Sequence, residues 1–449
     1  MKKIAAILKN KEIMNRILFT VLILFIFRIG AQITVPGVDA SGMEEYLNSG
    51  SALSLMNLLG GGTLQTFSIF ALGVSPYITA QIIVQLLSTD VLPALSELRR
   101  QGQYGRKKME YATRYLTLML GAVQAYGIIQ TIQSSGNVTL VSDANWLTYL
   151  YIIIVMLAGT MLVMWLGDQI SVKGIGNGIS MIIFAGIVCS LPRQIAGAFA
   201  TYISTTAGAP ENLVIAGVFK FILYILSYLV IIAFVTFIEL SQRKIPVQHS
   251  GKSGGQTPTM TRASFLPIKI NSAGVIPVIF ASSIMMAPSV IAAFVDSAGS
   301  EAKWLKIFST SEMYDMGSWS MPWGLIIYIV LTVAFTFFYA NLQIDPEQVA
   351  ENFKKNNSYI PGIKPGLETE RYIRKVLNRV TVIGAAALVL IASLPSILTL
   401  TGVFGENTSL VLGGTGMIIV VGVCLELNNQ IDGLLAGKSF DEVVASGGR

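Results

Sequence analysis

Ten apolar runs succeed one another along the chain, and no other feature limits its fold as tightly. Each is about 20 residues long, enough to cross roughly 30 Å of hydrocarbon as a helix. They fall near residues 17–33, 66–92, 114–133, 147–167, 177–195, 213–238, 273–294, 323–342, 378–400 and 408–427. A soluble all-α protein needs charged outer helix faces, yet only 12% of these residues are charged, against about 25% in soluble domains. The fold class is therefore an all-α polytopic membrane protein. The first 30 residues imitate a signal peptide, with Lys2, Lys3, Lys9, Lys11 and Arg16 before Ile17 to Phe27. No small-x-small cleavage site follows and the run continues through Arg28, so it reads as the first span.

One stretch departs from the plain spanning pattern. Ser51 to Leu59 is a short, mildly apolar helical segment that ends on Gly60, Gly61 and Gly62. Apolar character resumes at Phe67 and continues to Leu92, interrupted by Gly73 and Pro76 and dotted with Thr79, Gln81, Gln85 and Ser88. Non-helical backbone at membrane depth persists only where protein buries it or where it lines a water-filled cavity. A pore, a substrate path or a re-entrant structural loop all fit.

The basic residues fix the orientation. Residues 1–16, 99–114, 173, 243–269, 354–379 and the tail (Lys438, Arg449) hold 26 of the 31 Lys and Arg residues, and ten alternating spans put all these segments on the same side. Loops 34–65 and 134–146 hold none. The positive-inside rule puts both termini in the cytoplasm. Five spans precede the middle and five follow, so the halves point in opposite directions, as in an inverted repeat. The expected division is 1–172 (spans 1–4 with segment 51–62), 173–212 (span 5 and the connection), 213–427 (spans 6–10) and the tail 428–449.

His249 is the sole histidine, and the two cysteines, Cys189 and Cys424, lie in apolar segments, so neither a disulfide framework nor metal spacing is present. Loops 239–272 and 343–377 are long, basic and punctuated by proline and glycine, which fix ordered turns. Basic side chains on such loops suit phosphate backbones or acidic protein surfaces; topology alone also accounts for their charge.

These segments carry a resemblance. Gln242-Arg243-Lys244-Ile245-Pro246-Val247-Gln248 is similar to a cytoplasmic loop of the SecY family of protein-translocation channels. Asn271 to Phe280 resembles the start of that family's seventh span, and Ile360-Pro361-Gly362-Ile363-Lys364-Pro365-Gly366 its fifth cytoplasmic loop. Gly73 to Ile78 with Gln85, Gly102 to Lys108, Thr113 to Tyr115, and Gly174 to Ser180 complete the set. In order, they cover nearly the whole chain.

The resemblance implies two inverted five-helix halves around a central pore that passes unfolded precursor polypeptides and releases membrane segments laterally. It implies a pore ring of Val74, Ile78, Ile179, Ile183, Ile279 and Ile419, and a plug with hinge formed by Leu53, Leu55, Met56, Leu58, Gly60, Gly61 and Gly62. It implies a lateral gate between spans 2 and 7, with Thr79 and Gln124 as polar gate residues. Arg243, Lys244, Lys354, Lys355, Lys364, Arg371 and Arg374 would dock a SecA motor ATPase or the ribosome. Small SecE-like and SecG-like membrane subunits and the membrane lipids are the other implied partners; no cofactor and no enzymatic activity are implied, and the membrane would be the bacterial plasma membrane. Three departures stand out: Lys364 replaces the family's usual arginine, a point charge for a planar fork; His249-Ser250-Gly251-Lys252 replaces an aromatic, alanine and basic pair; and the tail is acidic to neutral (Asp441, Glu442) where many of the family end strongly basic.

The competing class is an ion-coupled transporter or lipid flippase, which carries ionisable residues at membrane depth. Arg28, Asp168, Lys220 and Glu239 lie near span ends, where snorkelling explains them. An intramembrane enzyme lacks a Ser/His dyad, an HExxH motif or an Asp pair. Gly251-Lys252-Ser253 is not a phosphate loop, and Gly174 to Gly178 reads as a tight turn between spans.

Overall fold

The computed structural model describes residues 10–40, 43, 57, 60–88, 95, 97–98, 101–134, 145–204, 211–249, 264–295, 307–308, 314–315, 320–400 and 414–447. Its helices follow the apolar runs in order. They are α1 (Lys11–Gly30), α2 (Ser75–Leu87), α3 (Gln103–Ser134), α4 (Trp146–Lys173), α5 (Gly178–Phe199), α6 (Glu211–Leu240), α7 (Ile276–Val295) and α8 (Trp323–Gln343). After the short helix α9 (Pro346–Lys355) come α10 (Leu367–Leu400) and α11 (Gly414–Gly447). Among the described residues, eight helices are long and apolar enough to cross a bilayer, and Ser75–Leu87 and Ile276–Met285 are shorter apolar helices.

Local chemistry sets the ends. The Asn10 side chain accepts the Glu12 N–H to open α1. Asn177 caps α5 through Ile179 N–H at 3.1 Å, and the preceding Gly174–Gly178 turn is tied down on three sides. Ile175 N–H donates to Thr20 of α1, Gly176 N–H to Gln430 of α11, and Gly178 N–H to Ser171. The expected tight inter-span turn is thus also a junction of four helices.

The second span starts later than the sequence suggests. Hydrophobicity alone places its start near 66, but residues 61–74 are turns and one bridge, Thr34 to Ser68, and α2 begins at Ser75. Phe67 and Gly73 both have positive φ (41° and 56°), outside the helical basin. Pro76 then sits in the first turn of α2, where its missing N–H costs nothing. Packing supplies what helix bonds do not: Leu64, Phe67, Ala71 and Leu72 are buried in one cluster with Ile128, Ile129 and Ile132 of α3 and Ile152 and Met156 of α4.

The two long basic loops were legible as ordered turns, but they contain strands as well. β1 (Gln242–His249) and β2 (Ser264–Lys269) form an antiparallel hairpin in which Ile245 faces Leu266. β5 (Ser358–Tyr359) joins the other edge of β1 through Gln248 and His249. (β3, Tyr314–Asp315, and β4, Ser320–Met321, form a separate two-stranded ribbon.) Ile245, Ile268, Ile360, Ile373, Leu377 and Val380 fill one apolar core beneath the sheet. The two loops are therefore one body, resting on the N-terminal turns of α10.

Candidate functional site

Four spans converge on a single apolar cluster. Val74 and Ile78 come from the start of α2, Ile183 from α5, Ile279 from α7 and Ile419 from α11; all five are buried, and Ile179 packs half-buried against them. Val74/Ile78 and Ile179/Ile183 are spaced i, i+4, so each pair presents one helix face. Phe27 and Phe70, stacked with centroids 5.6 Å apart, belong to the same cluster. The sequence-derived ring residues are thus brought together, from positions 345 residues apart. None of these six aliphatic side chains carries a hydrogen-bonding group, and an apolar constriction excludes water and ions.

On one side of the cluster lies the glycine elbow. Gly61, at φ 74°, presses against Gly186 of α5; a Cβ at Gly61 would fall 2.3 Å from the Gly186 Cα. Gly62 N–H donates to the Asn57 carbonyl and Gln65 N–H to the Asn57 side chain, closing the elbow upon itself. Two arginines clamp it from outside: Arg28 of α1 donates to the Gly61 carbonyl at 2.7 Å, and Arg193 of α5 to the Gln65 side chain at 2.6 Å. Leu53, Leu55, Met56 and Leu58, the remainder of the expected plug, lie outside the described residues.

That clamp adds to one sequence expectation. Arg28 lies near a span end and also bonds a carbonyl 33 residues away, a charge-assisted contact of the stronger kind. Asp168 likewise pairs with Arg114 at 2.8 Å, and Glu239 accepts from the Asn271 amide at 2.6 Å. Lys220 alone of the four is exposed on its helix without such a contact being needed to explain it. Long-range partners of this sort leave no trace in local sequence.

On the other, basic side, a cavity of about 780 Å³ opens between α2, α3, β2 and the corner joining α8 to α9. Gln81, Gln85, Ser88, Glu110, Asp345 and Pro267 are among its lining residues. Polar residues of α2 thus face this cavity, which accounts for the polar stripe read in the sequence. Thr79 turns its hydroxyl back to the Ser75 carbonyl of its own helix, 3.1 Å away, while the Gln124 Oε1 is buried without a hydrogen-bond partner. Sequence reasoning did not find Tyr339 of α8, whose hydroxyl donates to Gln85 Oε1 at 2.9 Å.

The basic side chains surround the small sheet. Arg243 and Lys244 are exposed on β1, Lys354 and Lys355 close the last turn of α9, Lys364 is exposed on the Ile360–Gly366 turn, and Arg371 and Arg374 are exposed on α10. Lys355 pairs with Glu351 at 2.9 Å and Arg374 with Glu370 at 2.7 Å. The hydrogen bond and charge of Lys355 hold the Glu351 carboxyl below its usual range. Arg243, Lys244, Lys364 and Arg371 are thus carried by the one packed body that the two loops form.

Comparison with known proteins identifies the family. The SecY family model matches residues 68–428. Protein translocase subunit SecY of Streptococcus gordonii is 40% identical over 432 residues, covering 96% of each chain. The same subunit of Bacillus subtilis is 40% identical over 439 residues, covering 98% of each. Among solved structures, a protein-conducting channel superposes with a TM-score of 0.64 at 19% identity, covering 94% of this chain and 93% of that one. Sec61 in a canine ribosome–channel complex superposes with a TM-score of 0.60 at 19% identity, covering 94% and 93%. With a family match over most of its length and relatives of this identity along nearly all of it, the chain belongs to the SecY family.

Proposed function

We propose that this chain is the protein-conducting subunit of a translocase, passing unfolded precursor polypeptides across a bacterial plasma membrane and releasing membrane segments sideways into lipid. One observation carries the reading: six aliphatic side chains from four spans meet in one cluster, with a cavity on its basic side and a glycine elbow on the other. An apolar constriction blocks ions by dewetting, yet it holds no polar group that would retain a peptide. A polypeptide entering from the basic side parts Val74, Ile78, Ile179, Ile183, Ile279 and Ile419 and displaces the segment Ser51–Gly62, which acts as plug. The two halves of five spans each part along the line between α2 and α7, the lateral gate, with Thr79 and Gln124 beside it.

The protein is a channel and not an enzyme, so its energy comes from outside. The platform of Arg243, Lys244, Lys354, Lys355, Lys364, Arg371 and Arg374 receives an SecA motor ATPase or the ribosome on the cytoplasmic face, and the excess of basic residues in these loops supports the same side for both termini. SecE-like and SecG-like subunits complete the assembly. The test is reconstitution with those two subunits in liposomes. A signal-bearing precursor should become protease-protected only when motor and ATP, or a translating ribosome, are added. Uptake of a small solute without either, and no protected precursor, would overturn the assignment.

A further inference from the structure

The geometry points to the hydrogen bond between Tyr339 and Gln85 as the latch that holds the lateral seam shut, a role that rests on the channel reading above. Two pairs of helices meet at this seam. α2 packs along α3 and α8 along α7; across the seam α3 packs on α7, whereas α2 and α7 touch only over a short stretch. The Tyr339 hydroxyl crosses from α8 to α2 and donates to Gln85 Oε1 at 2.9 Å, joining residues 254 positions apart.

The tyrosine is held for this task. Its ring is buried and meets the Phe280 ring of α7 edge-on, with centroids 5.5 Å apart at 88°. Phe280 in turn stands edge-on to Phe335, one turn before Tyr339 on α8, at 5.8 Å and 85°. These contacts fix the ring and leave the hydroxyl one direction, toward α2. Phe280 follows the ring residue Ile279 directly, so the latch and the constriction share a helix turn.

Gln85 also lines the cavity on the basic side, together with Leu342 and Gln343 beyond Tyr339 on α8. A polypeptide segment arriving there reaches the glutamine amide before it reaches the seam. Its backbone N–H can replace the tyrosine hydroxyl on Oε1, so breaking the latch need not leave a buried acceptor unpaired.

A bond of this kind between membrane helices is worth about a threefold change in an equilibrium, because it also finds partners when the helices part. The experiment uses the channel with its small subunits and a precursor carrying one test segment of graded hydrophobicity, scored as inserted or translocated. Tyr339→Phe keeps the ring and removes the bond, and should raise the inserted-to-translocated ratio of a marginal segment about threefold. Gln85→Met, approaching the same bond from α2, should do likewise. The double variant should equal either single one, and Phe219→Leu, exposed on α6 away from the seam, should match the unaltered channel. A ratio unchanged in both single variants, or effects that add in the double variant, would overturn the latch. An unaltered channel that neither inserts nor translocates any segment would instead overturn the channel reading itself.

Discussion

Gly61 and Gly186 illustrate how much a single atom decides at the residue scale. The two backbones meet so closely that a Cβ on Gly186 would stand 2.9 Å from the Gly61 Cα, where no flexible side chain can yield. Forcing a methyl group into such a contact costs about 1–3 kcal/mol. Gly186→Ala should therefore lower the thermal midpoint of the detergent-solubilised protein, and an unchanged midpoint would mean that the elbow does not rest on α5. The three glycines were legible in the sequence as an interruption. Their partner was not, because Gly186 lies within an ordinary-looking span and only the tertiary approach singles it out. Arg28 was opaque for the same reason: a cation at a span end reads as snorkelling until its carbonyl partner, 33 residues on, is known. The ring residues Ile279 and Ile419 came from the family resemblance; an isolated isoleucine in a span carries no signal of its own.

Among elements, the helices were the easy part and the strands the hard one. Long apolar runs announce spans through composition alone, whereas β1 exposes Lys244, Pro246 and Gln248 and buries only Ile245 and Val247. So brief an alternation, broken by a proline, hides among turn signals. Its β5 partner lies more than 100 residues away, beyond any local pattern. The start of α2 was misjudged because hydrophobicity ignores backbone sign, and Phe67 and Gly73 take positive φ. The sheet has a consequence for docking. Because Ile245, Ile268, Ile360 and Ile373 pack in one core, Arg243 and Lys364 are carried by one packed body. Arg243→Glu or Lys364→Glu should impair precursor export several-fold while leaving the amount of channel in the membrane unchanged, as read by protease protection and immunoblot. Normal export by both variants would remove these residues from the docking surface. Exposed charges are screened by salt, so the defect should shrink for a motor already weakened by high salt.

For the molecule as a whole, the ten apolar runs set the order of the spans, and among the described residues eight long apolar helices with two shorter ones occupy those runs. What sequence order alone does not convey is convergence: which faces of α2, α5, α7 and α11 turn toward one another. The central claim is that an extended polypeptide passes through the place where they meet. A precursor stalled midway, in a channel with a photo-reactive residue at one chosen position, tests it most directly. Crosslinks should form from Ile78, Ile183, Ile279 and Ile419, and not from Phe219, which is 67% exposed on the outer face of α6. Crosslinks from Phe219 with none from the four ring positions would contradict the account.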